Sequence, residues 1–309
     1  MSRRAWTSLL ALAALWGSSY LFIKLALEDL SPAMIVFTRT ALAALVLLPF
    51  ALARGALTGL RERYGAIAVL ALVQIAGPFA LISVGERYIT SSLTGILVAT
   101  APIFTALLAV FIDAEERSTG LRLVGVGVGI AGVALLLGLD VGDGPLALAG
   151  GLMVVLAGAG YAIAGFYFKR RFADVQPVGA VTVAMVASAA MLAVPAALTA
   201  PTELPGATAT GAMVALGIGG TGIAFVIFYT LLGTVGPALT SIVAYIAPGF
   251  AVVYGVLLLG ERFTIFTLLG LTLILAGSWL AAGGRLVPCR RAPARAPIAT
   301  PEIERRVVQ

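Results

Sequence analysis

Polar and aromatic side chains recur at helical spacing inside otherwise apolar stretches of this sequence. Residues three or four positions apart share one face of an α-helix, so Trp16, Ser19 and Tyr20 predict one polar and aromatic face. Several such faces, turned toward one another, would line a cavity that binds a small organic molecule. The predicted substrate-binding residues are Trp16, Ser19, Tyr20, Gln74, Tyr161, Thr221, Tyr229, Ser241 and Tyr245.

These residues also have structural interpretations. Each aromatic side chain could pack in a protein core or lie in the aromatic belt at a membrane surface. Gln74 is the more specific signal, because an amide that faces lipid without a hydrogen-bond partner is unfavourable.

Glycine and proline residues predict breaks in the same apolar stretches. A proline inside a helix removes one backbone donor and frees one carbonyl, although both residue types are also common in ordinary membrane helices. The predicted break or gating residues are Gly77, Pro78, Pro102, Gly222 and Pro248. Residues 217, 219 and 222 also match a dinucleotide-binding glycine pattern, but that site needs a preceding strand. Close helix packing is the better interpretation here, as for Gly125 and Gly129.

Three charged residues are candidates for an anion site or a gate. Arg39 lies about seven residues inside an apolar run, so it either extends toward the membrane surface or binds an anionic group. Glu116 and Glu261 each lie just before a predicted helix, where a carboxylate stabilises the N-terminus; the alternative is a gate or proton site. The remaining carboxylates lie in connections, at helix ends or in the C-terminal segment, so transport driven by a pH gradient is not predicted.

The residue types missing from the chain exclude much of enzyme chemistry. There is no histidine and only one cysteine, Cys289. Ser-His-Asp and Cys-His catalysis are therefore excluded, as are Cys/His metal clusters. No metal and no cofactor is predicted.

The composition predicts the elements that must position these residues. The chain is 61% hydrophobic and only 11% charged, whereas soluble proteins carry about 25% charged residues. Apolar runs of about 20 residues are long enough to cross a bilayer, which predicts an all-α integral membrane protein with ten transmembrane helices. The predicted spans are 5–25, 33–53, 65–85, 91–112, 120–139, 146–168, 177–199, 211–232, 238–259 and 264–283.

The distribution of positive charge predicts the orientation. With the N-terminus inside, 16 of the 20 Lys and Arg residues lie on the cytoplasmic side, in agreement with the positive-inside rule. Six of these are arginines after residue 283, which predict a disordered basic tail at the membrane rather than a nucleic-acid site. Both termini are therefore predicted to be cytoplasmic.

The chain repeats itself. A shift of 145 residues aligns Pro32 with Pro177 and Glu116 with Glu261. Five spans per repeat is an odd number, so the second copy enters the membrane from the opposite side. This predicts two inverted five-helix repeats, the architecture of alternating-access carriers. The predicted domains are 1–140, 146–283 and a cytoplasmic tail, 284–309.

These residues resemble the EamA-like unit of the drug/metabolite transporter superfamily. The resemblance rests on residues 15–20, Lys24, Pro32 and Arg39, and on the paired segments 101–125 and 247–270. It implies a ten-helix inner-membrane carrier with a central cavity, and it favours export without specifying the substrate. The second unit departs from the pattern, because Tyr161-Ala162 replaces the Trp-Gly pair and no arginine corresponds to Arg39.

The predicted function is that of a secondary transporter, an exporter or exchanger, of small organic metabolites. The predicted partners are a small-molecule substrate and membrane lipid, with no nucleic acid, in the plasma (inner) membrane. One alternative is a non-transporting membrane scaffold or accessory protein. Another is a membrane-embedded enzyme acting on lipid-linked substrates, which would need a catalytic cluster at the interface that the sequence lacks.

Overall fold

A computed structural model describes residues 2–112, 120–139 and 144–283 of the chain. All regular elements in these residues are helices, which confirms the predicted all-α membrane fold. Nine helical spans in these residues are long and apolar enough to cross a membrane, and a shorter apolar helix follows them. In chain order, the first to tenth spans are Arg3–Ala26, Pro32–Ala53, Tyr64–Gly85, Ser91–Ala109, Gly120–Leu139, Pro145–Arg171, Pro177–Leu198, Ala207–Val235, Pro237–Leu259 and Ile265–Ala281.

Local sequence explains where several spans begin. The Ser31 hydroxyl accepts a hydrogen bond from the Met34 amide at 3.1 Å, and the Thr90 hydroxyl accepts one from the Leu93 amide at 3.2 Å. Each bond satisfies a backbone donor that the first turn of a helix leaves unpaired. Pro32 follows its cap directly, where its missing N–H has no consequence.

The third and eighth spans change helix type in the middle. Residues Ala71–Ala76 and Ala215–Ile223 form π-helical segments. The first segment is followed directly by the α-helix Gly77–Gly85, which has Pro78 as its second residue. A Cβ atom on Gly77 would lie 2.6 Å from the Leu72 carbonyl oxygen. The predicted break at Gly77 and Pro78 therefore takes the form of a wider helical turn, and Gly222 lies inside the matching segment.

The fourth and ninth spans are interrupted at places that do not correspond. The fourth divides into Ser91–Val98 and Ala101–Ile112, directly before Pro102. The ninth is interrupted near Ser241, whereas the helix Val243–Leu259 runs through Pro248. The interruption of the ninth span therefore lies before Pro248, and the helix continues through the proline. A proline removes one helical hydrogen bond, and the surrounding helices can accommodate that loss.

The fifth and tenth spans pack backbone to backbone. A Cβ on Gly125 would lie 2.4 Å from the Ala281 nitrogen, and one on Gly277 would lie 2.4 Å from the Gly129 nitrogen. Only glycine permits this approach, which is common between membrane helices. The predicted packing role of Gly125 and Gly129 is confirmed.

The spans enclose one bundle whose outer surface is apolar. The second span packs on the seventh, the first on the ninth, the third on the sixth and the fourth on the ninth. Large aliphatic side chains point outward, including Leu45, Leu198 and Leu257. Such a surface suits lipid as the solvent, and the protein is a multi-pass membrane protein.

The connections group at two ends of the bundle. At one end, the Arg63 guanidinium pairs with the Asp174 carboxylate at 2.5 Å and also donates to the Arg171 carbonyl at 2.6 Å. This pairing holds the pKa of Asp174 below its usual range. We call this the Arg63 end.

The opposite end, which we call the Glu86 end, is formed by Lys24, Glu86, Ser91 and Glu261. The Lys24 ammonium donates to the backbone carbonyl of Glu86 at 2.7 Å. The grouping follows the alternation of connections that ten antiparallel spans require. Glu116, Cys289 and the predicted tail 284–309 lie outside the described residues.

Candidate functional site

A cavity of about 290 Å³ lies inside the bundle, between spans of both halves. This volume is at the lower end of the range of about 300–1,000 Å³ for small-molecule sites. The cavity is lined by Trp16, Ser19, Tyr20, Arg39, Gln74, Phe79, Ile82, Gly95, Val98, Ala99, Ala101, Pro102, Tyr161, Phe225, Phe228, Tyr229, Ala244, Ala247 and Pro248.

Most of the predicted site residues meet at this cavity. The substrate-binding candidates on its wall are Trp16, Ser19, Tyr20, Gln74, Tyr161 and Tyr229. Arg39, Pro102 and Pro248 join them. The structure thus brings together side chains from the first, second, third, fourth, sixth, eighth and ninth spans.

Glycines bring the helices that carry these side chains close together. A Cβ on Gly17 would lie 2.5 Å from the Phe250 Cβ, so glycine allows the first span to approach the ninth. A Cβ on Gly95 would lie 2.3 Å from the Ala251 Cβ and 3.1 Å from the Tyr20 ring. The aromatic face of the first span therefore lies against the fourth and ninth spans.

Arg39 is the charged group of the cavity. Its side chain is only 6% exposed, so the alternative that it extends to the membrane surface is wrong. Its Nε donates to the Thr221 hydroxyl at 2.8 Å, and its Cζ lies 3.7 Å from the centre of the Phe79 ring. Among the described residues it forms no ion pair with a carboxylate. A buried guanidinium without a counter-ion favours an anionic ligand.

Gln74 provides the second polar group of the wall. It lies in the π-helical segment Ala71–Ala76, and its Oε1 is buried without a hydrogen-bond partner among the described residues. A π-helical turn rotates the following side chains relative to a regular α-helix, and such turns are frequent at functional sites. The unpaired amide oxygen can accept a hydrogen bond from a ligand.

Aromatic rings form the remainder of one wall. The centre of the Trp16 ring lies 5.4 Å from that of Phe228 and 6.1 Å from that of Phe225. The Phe225 ring stacks on Tyr229 at 6.0 Å. This cluster suits an apolar or aromatic part of a ligand, or a cationic group over a ring face.

Six of the predicted substrate-binding and break residues lie away from the cavity wall. Thr221 is fully buried and holds the Arg39 guanidinium, while it donates to the Leu216 carbonyl. The Ser241 hydroxyl donates to the Ala238 carbonyl, and the Tyr245 hydroxyl donates to the Ser278 carbonyl at 3.4 Å. Gly77 and Pro78 begin the α-helical second part of the third span, and Gly222 lies in the π-helical segment of the eighth.

Glu261 binds a different helix from the one predicted. It precedes the tenth span, but its carboxylate accepts hydrogen bonds from the Ser91 amide at 2.7 Å and the Ser92 amide at 2.9 Å. The Ser92 hydroxyl donates to the same carboxylate at 2.5 Å. The carboxylate therefore caps the fourth span, where the unpaired amides of a helix N-terminus favour an anion. Thr264 caps the tenth span instead.

Several wall residues were missed from the sequence. Ile82 lies four residues after the predicted residue Pro78, and Phe228 lies seven residues after the predicted residue Thr221. Helical spacing would have found these two, whereas Phe79 directly follows Pro78 and gave no such signal. The small side chains that complete the wall, such as Ala247, give no such signal, because alanine is common throughout the chain.

Comparison with known proteins identifies a transporter family and relatives that are named as transporters. The family model of the EamA-like transporter family matches residues 4–138 and 148–283. The chain is 29% identical over 296 residues to the uncharacterized inner membrane transporter YedA of Escherichia coli strain K12, covering 94% of each chain. It is 24% identical to the uncharacterized transporter YoaV of Bacillus subtilis, covering 88% of this chain and 94% of that protein.

Two further similarities concern an exporter and a solved structure. The chain is 29% identical to the probable terminal-alkyne amino-acid exporter of Streptantibioticus cattleyicolor, covering 91% of this chain and 93% of that protein. A crystal structure of a protein with 22% identity matches the fold with a TM-score of 0.65, covering 91% of this chain and 97% of that one.

Proposed function

Because the chain belongs to the EamA-like transporter family, we propose that it is a secondary transporter of small organic metabolites that works by alternating access. The observation that carries this proposal is the cavity between the two halves, which has aromatic walls, a guanidinium without a counter-ion and an amide oxygen without a hydrogen-bond partner among the described residues. These groups bind and orient a solute. The proposal is for transport, not for catalysis.

Two inverted repeats, residues 1–140 and 146–283, are part of this proposal. The packing supports them, because the contacts come in exchanged pairs. The first span packs on the ninth and the sixth on the fourth, while the third packs on the sixth and the eighth on the first. If the first five spans exchange places with the last five, each contact of a pair becomes the other contact of that pair. Near-equal halves allow two near-equal conformations, open to opposite sides.

The proposed substrates carry an anionic group, a hydrogen-bond donor and an apolar part. Arg39 would bind the anion, Gln74 would accept from the donor, and the rings of Trp16, Phe225 and Phe228 would contact the apolar part. Amino acids with apolar or aromatic side chains fit this combination. The name of the related exporter from Streptantibioticus cattleyicolor supports amino acids and export as the first choice.

The proposed location is the plasma (inner) membrane, with both termini and the Arg63 end cytoplasmic. The relative YedA is named an inner membrane transporter, and most of the positive charge lies on the proposed inner side. Reporter fusions should place Arg170 in the cytoplasm and Glu203 outside. An external Arg170 would contradict the inverted repeats.

The decisive experiment is counterflow of radiolabelled amino acids in proteoliposomes that contain the purified protein. A panel of amino acids from glycine to tryptophan compares solutes with apolar parts of different size. Nucleobases, which carry no anionic group, test the role of Arg39. Flux of any panel member above that of empty liposomes excludes the scaffold alternative. Flux of the unmodified solute also excludes an obligatory enzymatic step.

Arg39→Gln tests the anion site, with Arg54→Gln as the matched control. Both guanidiniums lie over a phenylalanine ring, but Arg54 lies outside the cavity, 4.2 Å from the Phe50 ring centre. A charge-assisted hydrogen bond contributes about 1.5–3 kcal/mol, so Arg39→Gln should raise the half-saturation concentration about 10- to 100-fold. Arg54→Gln should leave it unchanged. If both variants had the same half-saturation concentration, the proposal that Arg39 binds an anionic group of the substrate would be refuted.

A further inference from the structure

Glu86 is a buried carboxyl group that the proposed site does not use. It follows the last residue of the third span and is 0% exposed. Both of its carboxylate oxygens are buried without a hydrogen-bond partner among the described residues. An ionised carboxylate in such a place is strongly unfavourable, and a group of this kind takes up a proton instead.

The charged groups around Glu86 are engaged elsewhere. The Lys24 ammonium donates to the backbone carbonyls of Glu86 and Ile89, at 2.7 and 2.9 Å, and forms no ion pair with the carboxylate. Glu261 is bound to the N-terminus of the fourth span, and Arg39 to Thr221.

Among the described residues, the other groups near Glu86 form no hydrogen bond or ion pair with its carboxylate. Tyr20 lies within electrostatic range in the cavity wall. The chain neighbours Arg87 and Tyr88 are exposed. The sixth span meets this end with Gly150 and Val154, which cannot be titrated. Burial raises the pKa of Glu86 well above its ordinary value; Glu261 adds to this effect, whereas Lys24 and Arg39 oppose it.

Glu86 lies close to the cavity wall along the third span. Ile82, one helical turn earlier, lines the cavity, and the hydroxyl of Ser83 beside it is buried with no hydrogen-bond partner in the part of the chain that the structure describes. When the Glu86 end opens to water, the carboxyl group regains solvation and can ionise. When that end closes, the group is buried again and must be neutral.

We propose that Glu86 is a proton-binding site and that closure of the Glu86 end takes up one proton on its carboxyl group. The opening of this end rests on the alternating access proposed above. By linkage, ionisation of Glu86 favours the open form, so the open population rises with pH. The rise is at most about tenfold per pH unit, because a single proton is involved.

The test uses a single cysteine as a reporter of opening and needs no substrate. Ser83→Cys, in a Cys289→Ser background, places a thiol at a position that is 1% exposed. Tyr88→Cys, at an exposed position of the same end, provides the reference for the pH dependence of the thiol itself. The ratio of the two labelling rates with a water-soluble thiol reagent reports opening from pH 5 to 9.

We expect this ratio to rise with pH when Glu86 is present and to stay low and flat in Glu86→Gln. Glu28→Gln removes an exposed carboxylate from the same end and should preserve the rise. A flat ratio with Glu86 present, or an unchanged rise in Glu86→Gln, would overturn the proposal.

Infrared spectroscopy provides a second measurement that does not depend on opening. The C=O stretch of a protonated carboxylic acid should be present at neutral pH and absent in Glu86→Gln; its absence from the parent protein would overturn the proton site. If the band is present but Ser83→Cys never reacts, the link to opening is refuted. Failure of counterflow across the solute panel would refute the transport function without changing either of these results.

Discussion

The hydrogen bonds of Glu261 should stabilise the folded protein at the Glu86 end, and Glu261→Gln tests this. The carboxylate joins the connection before the tenth span to the N-terminus of the fourth span through Ser91 and Ser92. Glutamine has nearly the same shape, but it carries no charge, and one of its two terminal atoms cannot accept a hydrogen bond. The substitution therefore weakens the interaction without leaving a cavity.

The expected loss of stability follows from these contacts. A hydrogen bond to a charged group contributes about 1.5–3 kcal/mol, and a charge at a helix N-terminus contributes about 0.3–1 kcal/mol. Because glutamine retains one acceptor, Glu261→Gln should lower the free energy of unfolding by about 2–4 kcal/mol. Ser92→Ala removes only the hydroxyl donor and should cost about 1–2 kcal/mol.

Equilibrium unfolding by SDS in mixed micelles, followed by tryptophan fluorescence, measures these changes. The double variant should show a coupling of about 1 kcal/mol, because both substitutions remove the same hydrogen bond. Glu28→Gln should change stability by less than about 0.5 kcal/mol. A Glu261→Gln variant that is as stable as the Glu28→Gln control, or strictly additive values in the cycle, would refute the role given to these contacts.

Two further predictions concern packing and the cavity. Gly125→Ala should destabilise the protein by about 1–3 kcal/mol, because its Cβ would lie 2.4 Å from the Ala281 nitrogen. Gly127→Ala, with nothing within 4 Å, should be neutral or stabilising in the same SDS titration. In a Cys289→Ser background, Gln74→Cys should react with a water-soluble thiol reagent and the fully buried Thr221→Cys should not. The reverse order of reactivity would contradict the placement of the cavity.

The spans could be predicted from the sequence because lipid imposes a local rule. Each crossing segment must satisfy its own backbone hydrogen bonds and expose apolar side chains over its whole length. Composition and length alone therefore locate it. The predicted second span, 33–53, differs by one residue from the observed Pro32–Ala53, because Ser31 and Pro32 are local start signals.

Part of the cavity wall could also be predicted from the spacing of residues within one span. The spacing of Trp16, Ser19 and Tyr20 determines that these side chains share a helix face, whatever that helix packs against. Ser241 and Tyr245, both predicted to bind substrate, have the same helical spacing, but the structure turns Tyr245 toward the tenth span. Periodicity determines which residues lie together on a helix. It does not determine how the helix is rotated relative to its neighbours.

That rotation is decided by contacts between residues far apart in the chain. Gly17 and Gly95 allow three spans to meet at the cavity, and Glu261 finds its partners 169 and 170 residues away. In the sequence, Glu86 was one of many acids at a helix end, with no local mark to separate it from exposed Glu28. Only the packing of the spans against one another excludes water from its carboxyl group, because burial is a property of the assembled bundle and not of any one segment.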